Sequence, residues 1–109
     1  MFNIETRPEF TRTVKVQVPE GEAVREYDFR ATFVWLPSDE LEEFDNRTTE
    51  GIKDMLRAVI VRCDDLLGKG DKPVEWSDGV REQLLGWSNS RLALLLAYNS
   101  AWTEEKRGN

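Results

Sequence analysis

A chain of 109 residues with 39% hydrophobic and 33% charged positions has apolar material for one core and too little length for two. A single domain over residues 1–109 is expected, with 1–9 and 103–109 as loose ends. Its 21 acids against 15 bases leave a net charge of −6, which opposes the phosphate attraction that nucleic-acid binding depends on, so neither DNA nor RNA is an expected partner.

The opening MFNIETRPEF carries acids and no apolar stretch of secretory length. The longest apolar run, Leu92 to Tyr98, is far short of the roughly 20 residues a membrane span requires. The expectation is a protein that stays in the compartment where it is made, away from membranes. One cysteine and no histidine exclude an internal disulfide, a cysteine-based zinc cluster and any Ser-His or Cys-His nucleophile pair.

In chain order, Phe10, Arg12, Val14, Val16 and Val18 alternate with Thr11, Thr13, Lys15 and Gln17, the period of two of a half-buried strand. Pro19, Glu20 and Gly21 break the pattern. It resumes with Tyr27, Phe29, Ala31, Phe33 and Trp35 on one face and Asp28, Arg30 and Thr32 on the other. Pairing Val16 with Tyr27 and Val14 with Phe29 puts both apolar rows on one face and leaves a short loop around Gly21. A two-stranded ribbon is marginal by itself, so helices from the rest of the chain have to cover that face.

The second strand runs into Leu36-Pro37-Ser38. Proline cannot donate to a ladder, Ser38 is placed to cap a helix, and Asp39 and Glu40 suit the positive end of its dipole. Leu41 and Phe44 share a face of that short helix. A second helix is expected from Thr48 or Thr49, with Ile52, Met55, Leu56, Val59, Ile60 and Cys63 as one buried stripe and Gly68 as its stop. Cys63 reads as a small buried hydrophobe on that stripe. In the loop GKGDKPVEW, Val74 and Trp76 are expected to tuck onto the core.

Ser77 suits the cap of a third helix carrying Val80, Leu84 and Trp87. After a break at Ser88-Asn89-Ser90, a fourth helix is expected from Arg91 through Trp102. Its run LALLLAY is apolar all round, so one side faces the core while another calls for a cover from elsewhere. Leu94, Tyr98 and Trp102 on this helix, with Trp87 before it, are the candidate partner-binding residues. The fold class expected is α+β: an N-terminal two-stranded antiparallel hairpin packed against four helices.

No catalytic constellation stands out. Glu42, Glu43 and Asp45, or Asp64 and Asp65, are adjacent acids that point in different directions on a helix and read as solvated faces. Gly68-Lys69-Gly70 lacks the Gly-Lys-Ser/Thr ending of a phosphate loop, and the acids from Asp64 to Asp71 lack calcium-loop spacing. The expectation is a non-enzyme with no cofactor and no metal.

The order of elements carries a resemblance. TVKVQVP, then FRATFVWLPSDELEEF, then LRAVIVRCDDLL, KPVEWS and VREQLLGWSNSRLALLLAYNSAW together resemble the small tail assembly chaperones of long-tailed bacteriophages, from about Thr13 to Trp102. The residues that carry the likeness include Phe33, Leu36, Pro37, Trp76, Arg91 and Tyr98. Two departures are Arg62-Cys63-Asp64 where relatives often have a valine-glycine-tryptophan turn, and Asn89 or Ser90 where they often have a proline. The resemblance implies a protein that coats the tape measure protein in the host cytoplasm before tail tube subunits polymerise around it, and that is missing from the mature virion. It further implies a homo-oligomer and, as a further partner, the tail tube protein. The alternative is a structural tail component, a tube or connector subunit retained in the particle.

Overall fold

The computed structural model describes the backbone of residues 1–107 and the side chains of residues 1–101. It is an α+β fold in which one face of a small antiparallel sheet is covered by helices. Strands β1 (Glu9–Glu20) and β2 (Ala23–Val34) form the hairpin, with Val16 opposite Tyr27 and Val14 opposite Phe29, the register that the alternation predicts. The loop is Gly21-Glu22, and Gly21 has φ 61°, a position glycine fills without strain. Pro19 and Glu20 do not break β1 but end it. β1 is an edge strand, where proline's missing N–H need cost no ladder bond. Residues 1–9 are not wholly loose: Arg7 makes a paired contact with Glu40, at 2.8 and 2.6 Å, and the Trp35 N–H donates to the Pro8 carbonyl at 2.8 Å.

The corner after β2 forms α1 (Ser38–Leu41), a single turn. Its cap is Pro37, not Ser38, and no side chain caps it; instead the Glu40 and Leu41 N–H groups both donate to the Pro37 carbonyl at 3.1 Å. α2 (Thr49–Val59) begins as expected, with the Thr48 hydroxyl accepting from the Gly51 N–H at 3.0 Å. Gly51 is required here, because a Cβ would lie 1.9 Å from the Asp45 carbonyl oxygen.

The predicted buried stripe does not continue as helix. α2 ends at Val59, and Ile60–Asp64 is β3, a third strand pairing antiparallel with β2 in the order β1-β2-β3. The register opposes Thr32 to Arg62 but Phe33 to Ile60, so Val61 is the extra residue of a bulge. The bulge lets Ile60 and Cys63 both face the core although they stand three apart, a spacing that mimics a helix.

Beyond β3 the chain makes a small hairpin-like loop, with the Val74 N–H donating to the Leu66 carbonyl at 3.1 Å. Trp76 packs against the core as expected, whereas Val74 is exposed. α3 (Asp78–Leu85) is capped by the Ser77 hydroxyl, which accepts from the Val80 N–H at 3.2 Å. The break before the last helix falls at Gly86-Trp87, and α4 spans Ser88–Arg107. Ser88, Asn89 and Ser90 are therefore its first turn, and it runs past Trp102.

The core joins Val14, Phe29 and Phe33 of the sheet to Leu56 of α2, Leu85 of α3 and Leu94 of α4. At one end is an aromatic cluster: Tyr98 stacks on Trp35 at 5.1 Å and meets Phe33 edge-on at 5.5 Å, with Phe10 5.7 Å away. Leu94 is 0% exposed and Leu92, on the opposite face of the same helix, is 56% exposed. Leu94→Ala is expected to cost about 2–5 kcal/mol of stability, and Leu92→Ala about 0.5 kcal/mol or less. Urea unfolding followed by circular dichroism measures both, and equal losses would contradict this orientation of α4.

Candidate interaction surface

α4 is positioned by polar groups at its head. The Asn89 amide donates to the Gln17 carbonyl of β1 at 3.0 Å. The Ser90 hydroxyl, buried, donates to the Trp87 carbonyl at 3.2 Å and more closely to the Leu84 carbonyl. Arg91 donates to the Leu85 carbonyl at 2.8 Å, serving the unsatisfied end of α3. Two residues of the expected break, Asn89 and Ser90, together with Arg91, thus tie α4 to both β1 and α3.

So oriented, α4 turns Ser90, Ala93, Leu94, Ala97 and Tyr98 inward. Leu94 and Tyr98, candidates for partner contact, are 0% and 1% exposed. They are core residues and are withdrawn from the candidate surface. The Tyr98 hydroxyl accepts from the Leu36 N–H at 3.2 Å, and burial raises its pKa, opposed by that bond. The Trp102 side chain lies outside the described residues. Trp87 stands at the head of α4 and is 70% exposed, which keeps it on the surface.

The outward face is a ridge that the earlier candidates missed: Leu92 and Leu96, one turn apart and both largely exposed, with Leu95 half-buried beside them. The sequence did hold a signal for this phase. Ser90, Ala93, Ala97 and Ala101 recur at three-four spacing and are small, which marks the side that comes closest to the sheet. Past the head of the ridge, Val18 and Tyr27 of the hairpin and Leu84 and Trp87 of the α3–α4 corner line an open apolar groove of about 630 Å³.

The ionisable groups form no comparable assembly. Among the described residues no group of three or more acids and thiols is gathered as a metal ion needs, and no helix is long and apolar enough to cross a membrane. Burial, and secondarily Asp64, pushes the Cys63 thiol up to about 12, so it stays a neutral core group at ordinary pH. A two-pronged ion pair joins α2 to α3: Arg57 meets Glu82 through two nitrogens, at 2.7 and 3.0 Å, and also holds Asp54 at 2.8 Å.

That pairing has a pH consequence. Hydrogen bonds from Arg57, then Arg81, lower the Glu82 carboxyl from its ordinary 4.5 to about 2. Between those values the unfolded chain binds more protons than the folded one, so stability rises with pH there. The contribution is complete above about pH 4.5 and disappears as pH falls toward 2. Glu82→Gln is expected to flatten this part of the acid-unfolding profile followed by circular dichroism. An unchanged slope would show that the pair does not hold its geometry in solution.

Compared with protein families, curated proteins and solved structures, the chain matches none of them.

Proposed function

We propose that this chain is a tail assembly chaperone of a long-tailed bacteriophage, a non-catalytic protein that shields the tape measure protein in the host cytoplasm until the tail tube protein polymerises around it. The observation that supports this reading most directly is the α4 ridge. Leu92 and Leu96, 56% and 61% exposed, stand on a helix whose opposite face is core. A protein with a net charge of −6 that leaves such a row uncovered is suited to an amphipathic client helix, which lays its own apolar stripe into a neighbouring apolar surface. Trp87 at the head of the ridge adds an aromatic anchor of the kind that dominates interface energetics. The order of elements that resembles the phage chaperones gives this surface its client, and homo-oligomers let several copies line one extended client.

The corner Leu36-Pro37-Ser38 acts as scaffold in this reading. It fixes the angle between ribbon and helices and leaves recognition to α4.

Coexpression with the tape measure protein tests the proposal. Soluble client is expected to rise with the wild-type chain and to fall with Trp87→Ala and Leu92→Glu, each removing about 2 kcal/mol, as hot-spot anchors do. Both positions are exposed, so the variants should melt within a few degrees of wild type. Client solubility indifferent to the wild-type chain would refute the assignment.

A further inference from the structure

Two apolar features stand at opposite ends of β1. Ahead of the strand, Phe2 and Ile4 are 83% and 80% exposed, and they overhang Trp35 and Pro37 across an open cleft without closing onto them. Their segment has a shape of its own. The Asn3 side-chain oxygen accepts from the Glu5 N–H at 2.9 Å, and the Asn3 carbonyl accepts from the Thr6 N–H at 3.2 Å, a turn built on one asparagine. The bonds of Arg7 to Glu40 and of Trp35 to Pro8 then pin that turn to the fold.

At the far end lies the groove of about 630 Å³ between Val18, Pro19 and Tyr27 of the hairpin and Leu84 and Trp87 of the α3–α4 corner. Its size is within the roughly 300–1,000 Å³ of sites that take a ligand. None of the described residues lining it is charged, in a chain where 33% of residues are. At the hairpin tip beside it, Glu20 and Arg25 pair with each other at 3.4 Å, and Glu20 also accepts from the Tyr27 hydroxyl. The charges at the rim are therefore already answered.

We infer that this groove takes Phe2 and Ile4 of a second copy of the chain. The segment cannot enter its own groove. Val18 lies ten residues along β1 from Pro8, about 33 Å, whereas the six residues from Pro8 to Phe2 span at most about 22 Å, and the Asn3 turn shortens them. A second copy meets no such limit. Copies with a net charge of −6 repel one another, so a contact between them is favoured where neither side brings charge, and residues 1–4 and the groove lining both meet that condition. A tip already shaped by its own bonds loses little freedom on docking. Each copy carries one tip and one groove, in equal number. The contact joins copies and leaves the Leu92 and Leu96 ridge uncovered, so it is measured without a client and stands or falls apart from client solubility.

Sedimentation velocity of the full chain over a concentration series reads the association. The wild type is expected to associate reversibly, and both the double variant Phe2→Ser with Ile4→Ser and the single variant Trp87→Ala are expected to associate about tenfold or more weakly, a loss on the order of 1.4 kcal/mol. Mixing the two variants in equal amounts should restore association as a one-to-one pair, since one keeps its groove and the other its tip. In NMR, a peptide of residues 1–8 capped at both ends should shift the Tyr27 and Trp87 side-chain signals of the wild-type chain, and the same peptide with both serines should not. That measurement holds even where a variant chain fails to fold. No association up to about 1 mM, association that the double variant leaves unchanged, a mixture no better than its parts, or a peptide without effect on Tyr27 and Trp87 would each overturn the proposal. So would association abolished by Leu92→Glu alone, since the copies would then meet through the ridge.

Discussion

A tyrosine hydroxyl inside a protein has to find a partner, and the arrangement of this fold follows from where Tyr98 finds one. Leu36 lies in the gap where β2 has ended and α1 has not begun, so its N–H has neither a ladder nor a helix to bond to. The Tyr98 hydroxyl accepts from it at 3.2 Å. Leaving either group unsatisfied in the interior costs about 1–3 kcal/mol, and one contact removes both penalties. It also fixes α4 to the corner of the chain across 62 positions of sequence. The stacked Trp35 and the flanking Phe10 and Phe33 rings pack around that point, so the sheet end, the proline corner and the last helix set one another's positions.

The hairpin was legible residue by residue because a strand with one buried face has period two, and a slip of one residue would turn every valine of β1 to solvent. The third strand was not legible, for an identifiable reason. Ile60 and Cys63 both face inward only because Val61 is bulged, and two inward residues three apart are what a helix also presents. Apolar spacing alone does not separate the two. The β-branched run Val59-Ile60-Val61 is the local feature that favours a strand there, and pairing to β2, which no local pattern reveals, decides it.

α4 shows the same limit at the candidate site. A helix apolar all round has no phase that hydrophobicity can report, so Leu94 and Tyr98 were as eligible as Leu92 and Leu96 for the surface. What sets the phase is steric. Ala93 and Ala97 allow the helix to come close to β1, and the hydroxyl of Ser90 fits against the Leu84 carbonyl of α3 and the Trp87 carbonyl of the corner after it. Small residues at three-four spacing, rather than large ones, carry the information about which side is buried.

The head of α4 also governs what the sheet edge is free to do. Asn89 reaches the Gln17 carbonyl, so the residue that orients the last helix also closes part of an exposed strand. Unprotected edges invite uncontrolled pairing, and short edges, prolines and side-chain covers are the usual defences. Here the covers stop short of Thr13 and Lys15, beside a helix whose leucines are exposed. A helix tilted away to bury Leu92 and Leu96 would lose its hold on Gln17 and uncover more edge, while one pressed closer would need residues smaller than Ala93 and Ala97. The exposed ridge is thus a consequence of the packing that seats Tyr98 and closes the edge, and any function drawn from it uses a surface the fold itself had to leave open.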